Sequence, residues 1–569
     1  MGPVLHKMLT DFETCDFTIG DLLDEIASVR RDDSVLIGFE TEGTGKTRRE
    51  VRRSMTYGEL VHASKLLATR LMTSGVRPGD RVALIRHSGP DWLICFFAIL
   101  LCRAVALPVD TKLGTREILD IFKNAEPKAM ITSSHFKDLL DQTARVAPEI
   151  IPIVLSLADL RGQRDKAQNA PLSQEIRSSL HLQGLHFRDL AVIVYTSGST
   201  SSPKGVMARL SNLMFEVHAM LNTQPIDRHT KTLSILPPNH FFELCCGLLT
   251  PFFAGGQIVF SKSLLPEDII DQICTEQVTD IVCVPLFLRM LRKGLLTKIA
   301  RCRLTSAWFW TTFALARRIP SREARRLLFA PIHRQLGNSL KRFYCGGAPL
   351  EKEVAWFFET LGISPLAGYG LTETSPVVSI NSEKKNRIGS VGRALPGVEV
   401  KTDSKGELLV RGPNVMMGYL NAPELTASVI DANGWFRTGD LGFIDEEGFI
   451  HITGRCKELI VLGNGKKVFP NEVEEMLAPL IERKTVKELC VVGARGEATQ
   501  EEVCVVVVDP QLDEDGLRRE IFSACQSYAV YKRPTRILVK KDGLPVTTTM
   551  KVNRARLKNW IEGRMEIVS

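Results

Sequence analysis

Residues 195–206 read Tyr-Thr-Ser-Gly-Ser-Thr-Ser-Ser-Pro-Lys-Gly-Val and directly follow Leu190-Ala-Val-Ile-Val194. The apolar run is short and β-branched, which predicts a buried strand. Six hydroxyl side chains, two glycines and a lysine then fall within eleven residues. Glycines let backbone close around an anion, amide N–H groups and hydroxyls supply donors, and Lys204 adds a mobile positive charge. Together they describe a cradle for a triphosphate. No Gly-Lys-[Ser/Thr] closes the loop, so it is not the Walker form. A Ser/Gly-rich linker is the bland alternative; a strand feeding straight in and a lysine inside argue against it.

The rest of the chain is built to carry such a loop. At 569 residues it is too long for one core, so two or more domains are expected. Helical and strand patterns alternate through Arg81-Val-Ala-Leu-Ile, Ala104–Val109, Ala129-Met-Ile-Thr and Ile151–Leu155. That alternation predicts an α/β region with largely parallel sheets flanked by helices. A helix opens at Met55-Thr-Tyr-Gly-Glu-Leu with a Thr cap. Trp92–Val109 is the most apolar stretch, but Arg103 interrupts it. It reads as a buried helix running into a strand, not a membrane span. Gly43-Thr-Gly-Lys-Thr47 is a decoy, because a Walker loop needs Gly where Glu40 stands. Arg161–His186 reads as a polar surface connection. Lys401–Tyr419 and Gly442–Ile452 are strand-rich and form a β-rich subdomain. The chain changes character after residue 453, where a small α+β unit begins. Its elements are strand Glu458–Leu462, helix Pro470–Leu477, strands Glu488–Gly493 and Glu502–Val508, helix Asp515–Ala524 and strand Thr535–Val539. The domains are therefore set at 1–453 and 454–569.

Thirteen cysteines lie scattered without a CxxC pair, so neither a zinc site nor a disulfide framework is indicated. Reduced thiols in the cytoplasm are the expectation. Met1–Thr18 has no sustained apolar core of a signal peptide. The net charge of +8 is mild but uneven, concentrated in Lys46–Arg53 and in an Arg-rich helical stretch over Arg317–Leu340. Such runs are solvated faces, or contacts for anionic lipid or an acidic carrier protein.

Tyr195–Val206 resembles the phosphate loop of the adenylate-forming superfamily of acyl-CoA synthetases, adenylation domains and luciferases. Further motifs follow in that family's order. Gly346-Gly-Ala-Pro-Leu350 and Gly368-Tyr-Gly-Leu-Thr-Glu-Thr374 each follow a strand-like segment, where glycines permit close approach of a flat ring. Glu373 is a hard oxygen ligand suited to Mg²⁺. Trp435-Phe-Arg-Thr-Gly-Asp440 is similar to the ribose segment, Gly454-Arg-Cys-Lys-Glu-Leu-Ile460 to the interdomain hinge, and Pro545–Arg554 to the C-terminal lysine motif. That last match departs from the family at Val546 and Met550.

The resemblance spans about Thr18 to Leu557 and implies the following roles. Thr196, Ser197, Gly198, Ser199, Thr200 and Lys204 hold the phosphates of ATP. Gly347, Ala348, Pro349, Gly368, Tyr369 and Gly370 receive the adenine, and Thr372 bonds a phosphate. Thr200 and Glu373 share Mg²⁺. Asp440 binds the ribose, with Arg455 on ribose or phosphate. Lys457 is the hinge of a mobile C-terminal domain, and Lys551 is the catalytic lysine of adenylation. His240 stands near the substrate carboxylate as a gate. His240–Glu243 and the Arg-rich stretch are most similar to the long-chain fatty acyl-CoA synthetases. The implied activity is AMP-forming ligation of a medium- or long-chain fatty acid to the thiol of coenzyme A. A ligase loading a holo carrier protein is the rival, and a nucleotide sensor without turnover a more distant one. No nucleic-acid partner is implied; peripheral membrane contact stays open.

Overall fold

The computed structural model describes residues 17–42, 49–133, 136–154, 184–196, 203–462, 466–495, 501–526, 528–546 and 552–565. The chain divides into two compact units, residues 1–399 with 411–436, and residues 400–410 with 437–569. Of the β-rich stretches, residues 401–410 and 442–452 are thus grouped with the C-terminal unit and residues 411–419 with the first. The 453/454 division concerns which parts move together, and it remains a proposal.

Strands are numbered along the chain. The first unit contains β1 (Ser34–Glu42), β2 (Arg49–Thr56), β3 (Arg81–Leu84), β4 (Val105–Pro108), β5 (Ala129–Thr132), β6 (Ile151–Val154), β7 (Leu190–Thr196) and β8 (Lys204–Arg209). It continues with β9 (Lys231–Ser234), β10 (Gln257–Phe260), β11 (Asp280–Cys283), β12 (Arg342–Cys345), β13 (Ser364–Tyr369), β14 (Ser379–Ile380) and β15 (Arg393–Ala394). Two strands, β16 (Glu399–Thr402) and β17 (Glu407–Arg411), precede β18 (Gly418–Tyr419). Nine strands form one sheet in the order β15-β14-β13-β12-β11-β9-β10-β1-β2, and seven form another in the order β18-β8-β7-β4-β3-β5-β6. The run from β13 to β1 is parallel, as is β7 to β6, while β8, β18, β14, β15 and β2 are antiparallel to their neighbours.

The helix Pro90–Leu101 explains why so apolar a segment needs no membrane. Almost every residue of it is buried, including Trp92, Phe96 and Phe97, and it touches β1 of one sheet and β3 and β4 of the other. A helix apolar all round belongs in a core. Its one acid, Asp91, is neutralised by Arg86 at 2.6 Å. No helix among the described residues is long and apolar enough to cross a membrane. The next helix back, Tyr57–Thr73, starts on the predicted cap: Thr56 accepts from the Glu59 N–H and Glu59 accepts from the Thr56 N–H at 2.9 Å. Its buried Tyr57 hydroxyl donates to the carbonyls of Phe252 and Gly256 at 2.9 and 2.8 Å.

The C-terminal unit holds β16-β17-β19-β20 as one sheet, with β19 Phe436–Ile444 and β20 Ile450–Arg455. A two-stranded ribbon, β21 (Ile460–Val461) with β22 (Lys467–Val468), precedes the three-stranded sheet of β23 (Glu488–Arg495), β24 (Glu501–Val508) and β25 (Arg536–Lys540). Along β24 the side chains alternate. Val503, Val505 and Val507 pack with the helices Pro470–Glu482 and Glu514–Ala524, whereas Cys504 and Val506 pack with Leu557 and Ile561. Covering on both faces accounts for the unbroken apolar sequence. All twelve cysteines among the described residues are free.

Two expectations are corrected and one element was not foreseen. The Arg-rich stretch is not one helix from 317 to 340: helices run Arg303–Ala316, Arg322–Leu328 and Ala330–Gln335. Pro320 cannot continue a helix, and the Ser321 hydroxyl caps the next by accepting from the Ala324 N–H at 3.2 Å. The strand placed at 458–462 is shorter, because Cys456–Glu458 forms a 3₁₀ turn before β21. A helix at Arg554–Met565 had no expectation; its apolar stripe is short, Leu557, Trp560 and Ile561, and Arg554 ties it down through Glu474 at 2.7 Å and Glu458 at 3.0 Å.

The register Asp280↔Arg342 places a fully buried carboxylate opposite a buried guanidinium across β11 and β12. The second of their two hydrogen bonds spans 2.9 Å. Removing Asp280 takes both of these hydrogen bonds from buried Arg342 and leaves it Glu383 at 3.6 Å. Asp280→Ala is expected to destabilise the fold by about 3–5 kcal/mol in denaturant titration; a loss near zero would mean that Glu383 or water takes over the Arg342 charge.

Candidate functional site

The pairing of β7 with β8 ends on Thr196↔Lys204. Ser197, Gly198, Ser199 and Thr200, four of the predicted phosphate-loop residues, lie outside the described residues; Thr196 and Lys204 flank them on the two strands. The other edge of β8 pairs with β18 in the register Tyr419↔Val206. This brings Tyr419 under Lys204, whose Nζ lies 5.6 Å from the centre of the phenol ring. The Tyr419 hydroxyl donates to Glu373 Oε1 at 2.8 Å. Burial, reinforced by the Glu373 charge, pushes the Tyr419 phenol well above its ordinary range, so it stays a donor. A cation, a phenol and a carboxylate thus converge from three separate elements. The sequence reading named Lys204 and Glu373 but missed Tyr419; Gly418-Tyr419 carries no local signal of its pairing with β8.

Glu373 sits on a 3₁₀ turn, Thr372–Thr374, whose shape is set by crowding. A Cβ on Gly370 would lie 1.7 Å from the Pro376 carbonyl oxygen. Only glycine fits there. The Thr374 hydroxyl accepts from the Leu371 N–H at 3.0 Å, and the Met416 N–H donates to the Glu373 carbonyl at 2.9 Å. From below, buried Glu216 accepts from the Val377 N–H at 3.2 Å. Burial raises the Glu216 carboxyl well above the carboxylate range.

Both predicted adenine turns follow parallel strands, Gly346–Pro349 after β12 and Gly368–Gly370 at the end of β13. Ligands gather at such carboxyl ends. Gly347 has φ +83°, and Gly347, Ala348 and Pro349 are exposed. Tyr369 and Thr372 are half-buried beside them in the chain.

His240 is half-buried at the start of a π-helix, Phe242–Leu249. One turn on, Glu243 is fully buried. Its carboxylate lies where a Cβ on Gly247 would stand, 2.7–2.8 Å away, so Gly247 leaves it room. Burial pushes this carboxyl up to about 8; the Ser234 hydroxyl and the Leu236 backbone face it and oppose the rise without closing good hydrogen bonds. Cys246 and Cys283 also lie within its field. The sequence reading took Glu243 only as part of the His240–Glu243 family mark. It is instead a buried acid, and no cluster of His, Cys, Asp and Glu able to hold a metal occurs among the described residues.

In the C-terminal unit, β19 and β20 place Asp440 opposite Arg455. Buried Asp440 pairs with the exposed Arg455 through Nε at 3.0 Å. Gly439 N–H donates to Glu407 at 3.1 Å, which sets the turn. Lys457 is exposed in the 3₁₀ turn that follows. Lys551 lies outside the described residues.

A family model described as AMP-binding enzyme matches residues 24–420, more than two thirds of the chain. Among curated proteins the chain is 28% identical to a long-chain-fatty-acid–CoA ligase of Mycobacterium bovis, covering 88% of this chain and 85% of that protein. It is likewise 28% identical to a medium-chain fatty-acid–CoA ligase of Escherichia coli, over 90% and 87%. A chloroplastic long-chain-fatty-acid–[acyl-carrier-protein] ligase of Arabidopsis thaliana is 28% identical over 77% and 70%. Among solved structures, ATP-bound MatB from Rhodopseudomonas palustris superposes with a TM-score of 0.74 at 25% identity, covering 99% of both chains. The o-succinylbenzoate coenzyme A synthetase of Bacillus subtilis, in complex with ATP and magnesium, gives 0.72 at 24% identity, over 94% and 98%, and shares the fold.

One variant checks this geometry. Glu243→Gln keeps the shape and removes the ionisation. In the wild type, folding favours the protonated form, so stability is full below the ordinary carboxyl range and falls as pH rises from about 4.5 towards about 8. Denaturant titrations at pH 5 and pH 8 should differ by on the order of 3–5 kcal/mol more in the wild type than in the variant. Equal pH dependence would show that Glu243 is ionised at neutral pH.

Proposed function

The chain belongs to the AMP-binding enzyme family, and from that membership we propose that it activates a fatty acid with ATP and passes the acyl group to the thiol of coenzyme A. It is an AMP-forming acid–thiol ligase. The observation that carries the site assignment is the convergence of Lys204, Tyr419 and Glu373 beside the end of the β7–β8 pairing.

The residues fit a nucleotide and a divalent cation. Tyr419 engages one oxygen of Glu373, and among the described residues the other oxygen has no donor. An oxygen held this way suits a hard cation. Exposed Gly347, at φ +83°, brings bare backbone to the end of β12, as close approach of a flat base requires. In this reading Glu373 and Thr200 would hold Mg²⁺, which would supply neutralisation of the phosphate charge.

In the first half-reaction a carboxylate oxygen attacks the α-phosphorus and pyrophosphate leaves with the P–O bond electrons. Lys204, Lys551 and the loop amides of residues 196–200 stabilise the charge that shifts onto it. Thr372 bonds a phosphate, and Tyr369 and the Gly346–Pro349 turn receive the base. Asp440 accepts from the ribose hydroxyls once Arg455 releases it or shares it. In the second half-reaction a thiolate attacks the acyl carbon and AMP leaves. His240 stands at the acyl carboxylate. Support for the acid class comes from the fatty-acid ligases among the relatives. The carrier-protein ligase is the reason to keep a holo carrier as rival acceptor. The setting proposed is the cytoplasm, with peripheral contact to a membrane.

Pyrophosphate release across a panel of carboxylic acids, with coenzyme A or with a holo carrier protein, tests the reading. Turnover should rise with chain length, since each buried CH₂ contributes roughly 0.8 kcal/mol. Acyl-AMP that accumulates with coenzyme A and discharges only onto the carrier would favour the rival.

Tyr419→Phe removes the donor to Glu373 and should slow ATP–pyrophosphate exchange about tenfold, since a hydrogen bond to a charged group contributes about 1.5–3 kcal/mol. The Mg²⁺ requirement should rise with it. Unchanged exchange and Mg²⁺ dependence would sink the metal role of Glu373. A third outcome concerns division of labour between the half-reactions. Lys551→Ala should nearly abolish pyrophosphate release yet still form thioester from synthetic acyl-AMP. Lys457→Pro should form adenylate and then stall, because proline fixes φ at the hinge. Equal loss of both steps in folded Lys551→Ala would refute it.

A further inference from the structure

Residues 285–334 hold twelve Lys and Arg and one Glu, a formal +11, against +8 for the whole chain. Everything else therefore sums to −3. This one segment, the helices Pro285–Ala300, Arg303–Ala316, Arg322–Leu328 and the start of Ala330–Gln335, is the basic region of the molecule. Part of the charge is spent internally. Arg325 and Arg322 pair with Glu359 at 2.9 and 3.3 Å, and Arg326 donates to the carbonyls of Leu340 and Asn338 at 2.7 and 2.8 Å. The remainder faces outward. Lys293, Lys298, Arg301, Arg303, Arg317 and Arg318 are exposed, and among the described residues no carboxylate lies within 4.0 Å of any of them.

The helix between the two arginine clusters breaks the usual surface rule. From Leu304 to Ala316, thirteen residues carry no charge. Underneath, Phe309 and Ala316 are fully buried, and the Phe313 ring lies against Phe357 at 5.9 Å between centres. The outward side should then be polar. Instead Leu304, Trp308 and Leu315, spaced four and seven apart on one stripe, are 81%, 40% and 55% exposed. Trp310, 49% exposed, flanks them. Thr311 is the polar member of that stripe, its hydroxyl turned back to the Ala307 carbonyl at 2.9 Å. Nearby, Leu327 and Trp356 are exposed too, with the Arg317 guanidinium 6.0 Å over the Trp356 ring.

We propose that the Arg303–Ala316 helix is an interfacial anchor that lies on an anionic lipid surface, its Leu304–Trp308–Leu315 stripe in the acyl boundary and its flanking arginines on the headgroups. Two features select lipid over other partners. An acidic protein would pair with the arginines but would not call for a charge-free stripe of Trp and Leu between them. A second copy of this chain would bring the same +11 segment against itself. A bilayer supplies apolar interior and negative headgroups at once. The helix is about 21 Å long by its rise per residue, too short to span and suited to lying flat. The proposal names the surface for the peripheral contact suggested above. It does not depend on the ligase chemistry.

The full chain is to be sedimented with vesicles of phosphatidylcholine alone and of phosphatidylcholine with phosphatidylglycerol, with tryptophan emission recorded in parallel. Binding to the anionic vesicles only, weakened by salt and accompanied by a blue shift, supports the anchor. Trp308→Ser with Leu315→Ser should weaken partitioning about tenfold or more, and Arg317→Gln with Arg318→Gln about thirtyfold. All four positions are exposed, so the thermal melt should hold, as should pyrophosphate release with a water-soluble short-chain acid. That soluble assay separates a failed anchor from a failed ligase reading. The anchor is overturned if neither vesicle binds or if both bind equally. Variants that bind like the wild type also overturn it. So does a dimer that dissociates in the variants, or salt-sensitive binding to an acidic carrier protein without vesicle binding.

Discussion

The backbone crossing at Gly370 governs the geometry around it. With 1.7 Å between a would-be Cβ and the Pro376 carbonyl oxygen, the segment after β13 has one way to turn. It delivers Glu373 on a 3₁₀ turn and returns through Val377, held by the Glu216 carboxyl, into β14. Cys245 reaches the same loop by donating to the Ser375 carbonyl at 3.5 Å. Close packing makes the position of Glu373 a property of the fold rather than of a mobile side chain. A site whose reacting charges must be met without reorganisation needs that rigidity.

Both buried carboxyl groups behind the site, Glu216 and Glu243, are pushed towards the neutral form by burial. A neutral acid donates as well as accepts and adds no negative field to its surroundings. The π-helix that carries Glu243 also carries the Cys245 and Cys246 pair, whose thiols burial holds well above their ordinary range. Such thiols are poor nucleophiles. No cysteine of the chain is needed for thioester formation when the acceptor brings its own thiol.

Charge is partitioned by region. The interior uses arginine structurally, as in Arg342 with Asp280 and Arg554 with Glu474 and Glu458. The excess lies over residues 285–334, where Arg322 and Arg325 pair with Glu359 while Lys293, Lys298, Arg301, Arg303, Arg317 and Arg318 are exposed. A formal net charge of +8 hides this arrangement, because the remainder of the chain is slightly acidic.

Much was legible from the sequence alone. The apolar run Trp92–Val109 marked a buried helix running into a strand, Thr56 marked a helix cap, and the β-branched run Leu190–Val194 marked β7, because each signal is local. The order of motifs identified the family, and the fold class followed. Tertiary structure alone decided the rest. Tyr419 meets Glu373 only because β18 closes the edge of a sheet whose neighbour, β8, lies more than two hundred residues earlier. Glu243 is a buried acid only because Gly247 and the surrounding strands remove water from it. The Leu304–Trp308–Leu315 stripe resembles a core face in one dimension, and it faces outward because Phe309 and Ala316 on the opposite side claim the interior. Local pattern fixes which residues form an element and which stripe is apolar; which stripe meets solvent, and which distant side chains meet each other, follows from packing between elements far apart in the chain.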